Sequence, residues 1–228
     1  MKRSQLYLIS LVVLLLSAIF TSIITASSFN NDVDLDNHLD REDILLNLEE
    51  SENYISIYFN NKIDSIEELV NQSKFILKVK ATKKRTNFSR SIHTAVQVLE
   101  LYKGDGITTG SEIYIYEPSY FFGSNYLSFG GYQIMEEGEE YIVFLDHLQV
   151  PDNYKYKGNE AISFLPISTY FGKFPTNQVD TNDQILTKNE TDNGVNYTKI
   201  NNWDIITTNK EISAFYNKLK QLVFLKYK

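Results

Sequence analysis

The first pattern along the chain is an apolar run. From Leu6 to Ile24 only Ser10, Ser17, Thr21 and Ser22 interrupt it, Lys2 and Arg3 precede it, and no acidic residue occurs before Asp32. A basic start followed by a long apolar core reads as a secretory signal or as a retained membrane anchor. The run is at the short end of what a spanning helix needs, and Ala26 and Ser27 are small enough to precede a cleavage point. Both readings stay open, and both place the folded part outside the cytoplasm, secreted or membrane-anchored. The membrane is reached through residues 6–24 if the segment is kept.

The pattern then changes period. Ser65-Ile66-Glu67-Glu68 is a capping box that opens a short helix to about Asn71. Phe75, Leu77, Val79 and Ala81 alternate with less apolar positions, which predicts a strand with one buried face. A polar loop over 83–90 leads to a longer strand, about Ser91–Tyr102. There the apolar phase slips from Val98 to Leu99, as a β-bulge produces. Lys103-Gly104-Asp105-Gly106 is a turn, Glu112–Tyr116 a third strand, and Glu140–Leu145 a strand apolar on both faces and therefore central. Tyr132–Met135, Ala161–Leu165 and Tyr170–Phe174 are further short strand candidates, and 178–202 is loop. Thr208-Asn209-Lys210-Glu211 opens a last helix, about 207–226, with Ile212, Phe215, Leu219, Leu222 and Val223 on one face.

The predicted fold is mainly β: an OB-like, partly closed antiparallel barrel with a short helix before its first strand and an amphipathic helix at its C-terminus. Three segments follow: leader or anchor 1–27, acidic linker 28–52, barrel domain 53–228. The linker is assigned from its density of Asp and Glu.

The order from Ile66 to Leu145 carries a resemblance. A short helix with Glu-Leu-Val precedes the first strand, the second ends in Leu101-Tyr102-Lys103-Gly104, and Glu137-Gly138-Glu139-Glu140-Tyr141-Ile142-Val143-Phe144-Leu145 re-enters the sheet. This resembles uncharacterised secreted bacterial proteins with an OB-like barrel, akin to the barrel of the tissue inhibitors of metalloproteinases. The resemblance implies a fold. Inhibition in that family uses an N-terminal cysteine tethered by a disulfide, and this chain has no cysteine, so no inhibitory mechanism transfers.

Composition narrows the chemistry. The 228 residues hold 43% hydrophobic and 14% aromatic side chains and a net charge of −7, which argues against disorder and against a general nucleic-acid partner. Without cysteine there is no thiol nucleophile and no zinc–cysteine site. Asp32-Val-Asp34-Leu-Asp36 has the spacing of a calcium loop, but Asn37 stands where glycine is needed and Asp43 where a bidentate glutamate is needed. His38, His93 and His147 lack ligand spacing, and Asp146 and His147, adjacent on a strand, face opposite ways. No metal and no cofactor is expected. Glu136, Glu137, Glu139 and Glu140 are a candidate source of the paired carboxylates of a hydrolase, and they flank a turn, where solvated side chains are the rule.

Two groups of residues fit binding instead. Tyr120, Phe121, Phe122, Tyr126, Phe129 and Tyr132 lie in a Gly- and Ser-containing stretch, where they stack on a ligand or fold back over the barrel mouth. Lys78, Lys80, Lys83, Lys84, Arg85 and Arg90 form a basic strand and loop of the kind that lines the groove of OB barrels. The expected function is a non-enzymatic extracytoplasmic module of the cell envelope that binds a protein or an envelope polymer. The alternatives are a hydrolase of such a polymer using paired carboxylates, and a module gripping anionic lipid or wall polymer through the basic patch.

Overall fold

The protein is described by a computed structural model covering residues 3–51, 55–88, 90–177 and 184–227. Lys2, the expected boundary at 52–53 and the first part of the polar stretch after Asn177 lie outside the described residues.

The long helix α1 (Arg3–Val33) contains the apolar run, and Ile9–Ser27 is long and apolar enough to cross a membrane and lies wholly exposed. The short helix α2 (Asp36–Leu39) follows, and then strand β1 (Leu45–Glu49). The expected linker is therefore corrected. Leu35 and Ile44 are buried, β1 pairs in parallel with a strand eighty residues later, and Asp34 bridges Thr86. The acidic side chains face water while the apolar residues between them join the core, which a charge count alone cannot separate.

Helix α3 (Ile66–Gln72) begins where predicted, with the Ser65 hydroxyl accepting from the Glu68 N–H at 3.2 Å. The barrel strands are β2 (Phe75–Phe88), β3 (Ser91–Lys103), β4 (Glu112–Glu117), β7 (Glu140–His147) and β8 (Ser163–Pro166). They run in the order β2-β3-β4-β8-β7, and β7 pairs again with β2, so the barrel is closed rather than partly closed. The pairing of β4 with β8 is parallel and the others are antiparallel, the strand order of an OB barrel. The expected slip is present. Lys78 pairs with Glu100 and Val79 with Val98, leaving Leu99 as an extra residue that bends β3. A wider bulge sets residues 82–84 against Ala95 alone. The expected loop over 83–90 is consequently strand as far as Phe88.

Inside the barrel, Leu77, Val79, Val96, Val98, Ile113, Ile115, Val143 and Leu145 make one cluster. On its outside, strand β9 (Lys173–Pro175) extends the sheet beside β7, and helix α5 (Lys210–Tyr227) packs over Ile76, Ile142, Phe144 and Phe174. Asn209 caps α5 in place of Thr208, accepting from the Glu211 N–H at 2.7 Å. The deeply buried face is Ser213, Tyr216, Leu219, Lys220 and Val223, one position round from the expected stripe, with Ile212, Phe215 and Leu222 on its flank.

A second, three-stranded sheet has the order β1-β6-β5, with β5 (Ser119–Phe122) and β6 (Asn125–Phe129) forming a hairpin. Its core holds Leu35, Ile44, Phe121, Tyr126 and Tyr197. Tyr132–Met135 contributes one bridge, from Tyr132 to Ile205, rather than a strand, and 188–193 forms a short helix, α4 (Lys188–Asn193). Gly131 explains the sharp passage between sheet and barrel. Its φ is +72°, and a β-carbon there would meet the Ile206 carbonyl oxygen at 2.0 Å.

Candidate functional site

The aromatic stretch after Pro118 divides by strand parity. Phe121, Tyr126 and Tyr132 are buried, Tyr120 and Phe129 are half-buried against each other at 6.0 Å, and Phe122 is 71% exposed at the hairpin end. The Tyr126 hydroxyl donates to the Tyr132 carbonyl at 3.1 Å and accepts from the Ile134 N–H at 3.2 Å, a fully paired core tyrosine. These six side chains do not make one binding face; Phe121 and Tyr126 are core of the second sheet, and Tyr132 is buried beneath the Lys173 ammonium.

The basic group is also dispersed. Lys78 pairs with Glu140 at 2.9 Å, and Lys84 pairs with Glu112 at 2.8 Å and donates to the Tyr114 hydroxyl. Arg85 turns inward, its guanidinium 3.2 Å from the Met135 carbonyl and 3.7 Å from Asp36. Lys80, Lys83 and Arg90 are exposed, with Arg90 at a φ of +85°. The bulge over 82–84 adds two residues, which preserves the alternation, so Arg85 falls on the inward face with Val79 and Ala81 and an anion patch of six cations does not form.

A different surface gathers aromatic residues. Inward-facing Ile113, Ile115 and Glu117 on β4 leave Tyr114 and Tyr116 on the outer face of the barrel. His93 pairs with Tyr116 across β3–β4 and stacks on both tyrosines, at 4.6 Å from Tyr114 and 4.3 Å from Tyr116. Ser163 on β8 donates to the Asn159 carbonyl at 2.7 Å and therefore accepts at 3.1 Å from His93 Nε2, which carries the proton. Burial and then the nearby Lys84 charge push the His93 pKa down to about 4, so the ring is neutral in ordinary conditions. Phe88 lies 5.8 Å from His93 at one end of this strip, and the Lys84 ammonium sits 4.9 Å over the Tyr114 ring.

The β7–β8 connection supplies the opposite border. Tyr154 donates to Glu160 at 2.8 Å and Tyr156 donates to His147 Nδ1 at 2.9 Å, and the two rings are 6.1 Å apart. They are 39% and 37% exposed, and the charge of Glu160 reaches Tyr116. The outer face of the second and third barrel strands, flanked by the first and last interstrand connections, is where OB barrels take oligosaccharides and oligonucleotides. Here it carries Tyr116, Tyr154 and Tyr156 as stacking surfaces, with His93 holding Tyr116 in place. The sequence reading placed His93 in a strand and missed the tyrosines; alternate aromatics in β4 were the available signal.

Among the described residues the carboxylates near the Glu136–Glu140 turn border no opening of substrate size. Glu140 is bound to Lys78, and Glu136 and Glu139 border a void of about 20 Å³ with Lys173 and Asp204. That volume is room for one water, not for a sugar ring. Burial, then the Glu139 charge, raises the Glu136 pKa. Behind the void lies a buried charge cluster. Glu117 accepts from the Met135 N–H at 2.7 Å and its pKa is raised by burial. The Lys173 ammonium stands over the rings of Tyr132 and Tyr141, at 5.0 and 5.3 Å, and burial pulls its pKa down against the upward pull of Glu117. Asp204 and Lys220 complete the cluster, which ties β4, β9 and α5 together. Asp146 and His147 are not partners through their side chains: Asp146 pairs with Lys74 at 2.7 Å. His38 is buried against Phe121, and among the described residues no three metal-ligating side chains converge.

One cavity borders the second sheet. Leu45, Asn47 and Glu49 turn their backbone groups to β6, while Leu46 and Leu48 turn theirs outward. The Leu46 N–H donates to the Val195 carbonyl at 2.7 Å. Among the described residues the Leu48 N–H has no partner, and it faces a groove of about 710 Å³ walled by Lys188, Asp192 and Gly194.

No family model matches this chain, and no curated protein matches it.

Proposed function

We propose that this chain is a non-enzymatic extracytoplasmic module, held at the membrane by α1, that binds a glycan chain of the cell envelope across the outer face of β3 and β4. One observation carries the reading: on that face Tyr116 is half-exposed, with His93 stacked between it and the buried Tyr114, and the tyrosines of the β7–β8 connection border it. Flat rings in a half-exposed row offer stacking surfaces to sugar faces, and the polar tips of the tyrosines supply hydrogen bonds. The acid-rich chain and the neutralised Lys84 weigh against a nucleic acid of the same stacking chemistry. The test uses full-length protein in nanodiscs, sedimented with purified insoluble wall polysaccharide. The protein is expected to pellet with the polymer, and a Tyr116→Ala/Tyr154→Ala variant to stay in solution. Native protein left in solution contradicts the proposal.

A second reading, a protein partner, is favoured by the outward edge of β1. Its groove and open Leu48 N–H fit an added extended strand. Leu48→Pro removes that donor without touching the β6 ladder. A photocrosslink from Asn47 to a protein of the native membrane, abolished by Leu48→Pro, supports this reading; crosslinking unaffected by the proline removes it.

A further inference from the structure

The place where α1 joins the domain is unusually well tied. The helix ends at Val33, Asp34 bridges Thr86 near the end of β2, and Leu35 is already buried. Only residues 28–33 separate the span Ile9–Ser27 from the domain, about 9 Å of helix. Whatever side of the domain surrounds Asp34 is therefore held within about two helical turns of Ser27.

That side is a tip built from two hairpins. Asn87, buried, clasps the second sheet through two bonds: its amide donates to the Phe121 carbonyl and its carbonyl accepts from the Phe121 N–H, both at 2.9 Å. The clasp sets the end of β2 beside the end of β5. Each end presents an exposed phenylalanine, Phe88 at 44% and Phe122 at 71%. Arg41 braces the second hairpin by donating to the Gly123 carbonyl at 2.8 Å and to Ser124 at 2.7 Å. The phenylalanines are thus carried on paired backbone, next to the point where the chain leaves for the membrane.

We infer that this tip is a membrane-seating surface: Phe88 and Phe122 rest in the interface of the same bilayer that α1 enters. The occupant follows from continuity with α1 and from chemistry. Phenylalanine at the boundary of headgroups and acyl chains exchanges water for hydrocarbon, and a surface so placed buries about 5–10 Å deep. The charges around the tip fit the position: Arg41 is neutralised by Asp43, Arg85 lies beside Asp36, and the exposed Arg90 of the β2–β3 turn stands at headgroup level beside Phe88. Seating fixes the tilt of the barrel, so that the strip beginning at Phe88 rises from the membrane surface instead of swinging about a hinge.

This inference rests on the tethered reading, and its test separates the two. The chain has no cysteine, so single nitroxide labels are placed without background at residues 15, 88, 105 and 122 of the full-length protein. The protein is held in nanodiscs of phosphatidylethanolamine and phosphatidylglycerol. Relaxation by oxygen is compared with relaxation by a water-soluble nickel chelate. Labels at 15, 88 and 122 are expected to favour oxygen, and the label at 105, at the other end of β3, to favour nickel. Nickel-favouring labels at 88 and 122 with oxygen-favouring label 15 overturn the seating and leave the tether intact. A nickel-favouring label at 15 overturns both.

Discussion

Lys220 on α5 reaches Asp204 with its ammonium 2.7 Å from the carboxylate oxygen, and both side chains are almost fully buried. The Tyr216 hydroxyl lies 3.3 Å from the same oxygen. An ion pair withdrawn from water gains little over an apolar pair of equal volume, but a single member left behind is costly. Lys220→Ala is therefore expected to destabilise the domain by about 3–5 kcal/mol, measured by urea denaturation. Lys220→Met with Asp204→Leu is expected to recover most of that loss. A single variant as stable as the native protein contradicts the buried pairing.

Gly131 is the second structural checkpoint. A positive φ costs an L-residue about 1–2 kcal/mol, and here an added methyl also meets the Ile206 backbone. Gly131→Ala is expected to lose at least that much stability in thermal melts. Gly106→Ala, at a similar φ with open space around it, is expected to lose only the conformational cost.

His93 predicts a pH effect with a defined sign. Its folded pKa of about 4 is below the ordinary value of 6.5. Between those values the unfolded chain binds more protons, so the contribution of His93 to stability falls as pH drops from 6.5 towards 4 and levels off below. Because the ring is only half-buried, the effect is reduced by solvent screening to about 1 kcal/mol. The buried Glu117 carboxyl, whose pKa is raised, contributes with the opposite sign. The difference between native protein and His93→Gln isolates the histidine, and a difference flat from pH 7 to 4 contradicts its placement between two tyrosines.

The strip should respond residue by residue. Removing one stacking ring costs on the order of 1 kcal/mol, so Tyr116→Ala and Tyr154→Ala are each expected to weaken glycan affinity about five- to tenfold; Tyr154→Ala is expected to leave the melting temperature of the barrel unchanged, whereas Tyr116→Ala also loses its stack on His93. Phe129→Ala, in the second sheet, is expected to leave affinity unchanged, which calorimetric titration with soluble wall fragments checks.

Local signals in the sequence sufficed for much of the barrel. Ser65 caps its helix, Leu99 marks the bulge, and the doubly apolar Glu140–Leu145 run lies in the sheet centre, because each is decided by neighbours a few residues away. What escaped depends on distant partners. β1 is a strand because β6 offers it an edge eighty residues on. Lys173 and Lys220 are buried because carboxylates from other elements meet them, whereas charge alone predicts exposure. Arg85 is turned inward because β2 continues through the bulge and pairs it with Thr94, where the sequence suggests a loop. The candidate strip was hidden for the same reason: its tyrosines come from β4 and from the β7–β8 connection, and only closure of the barrel brings them together.

The most direct test of the binding account is an NMR titration of the folded protein with soluble fragments of wall glycan, followed at assigned aromatic and amide resonances. The account predicts shifts that saturate and centre on His93, Tyr114, Tyr116, Tyr154 and Tyr156. Shifts confined to the Tyr120–Phe129 hairpin, or none at all, contradict it.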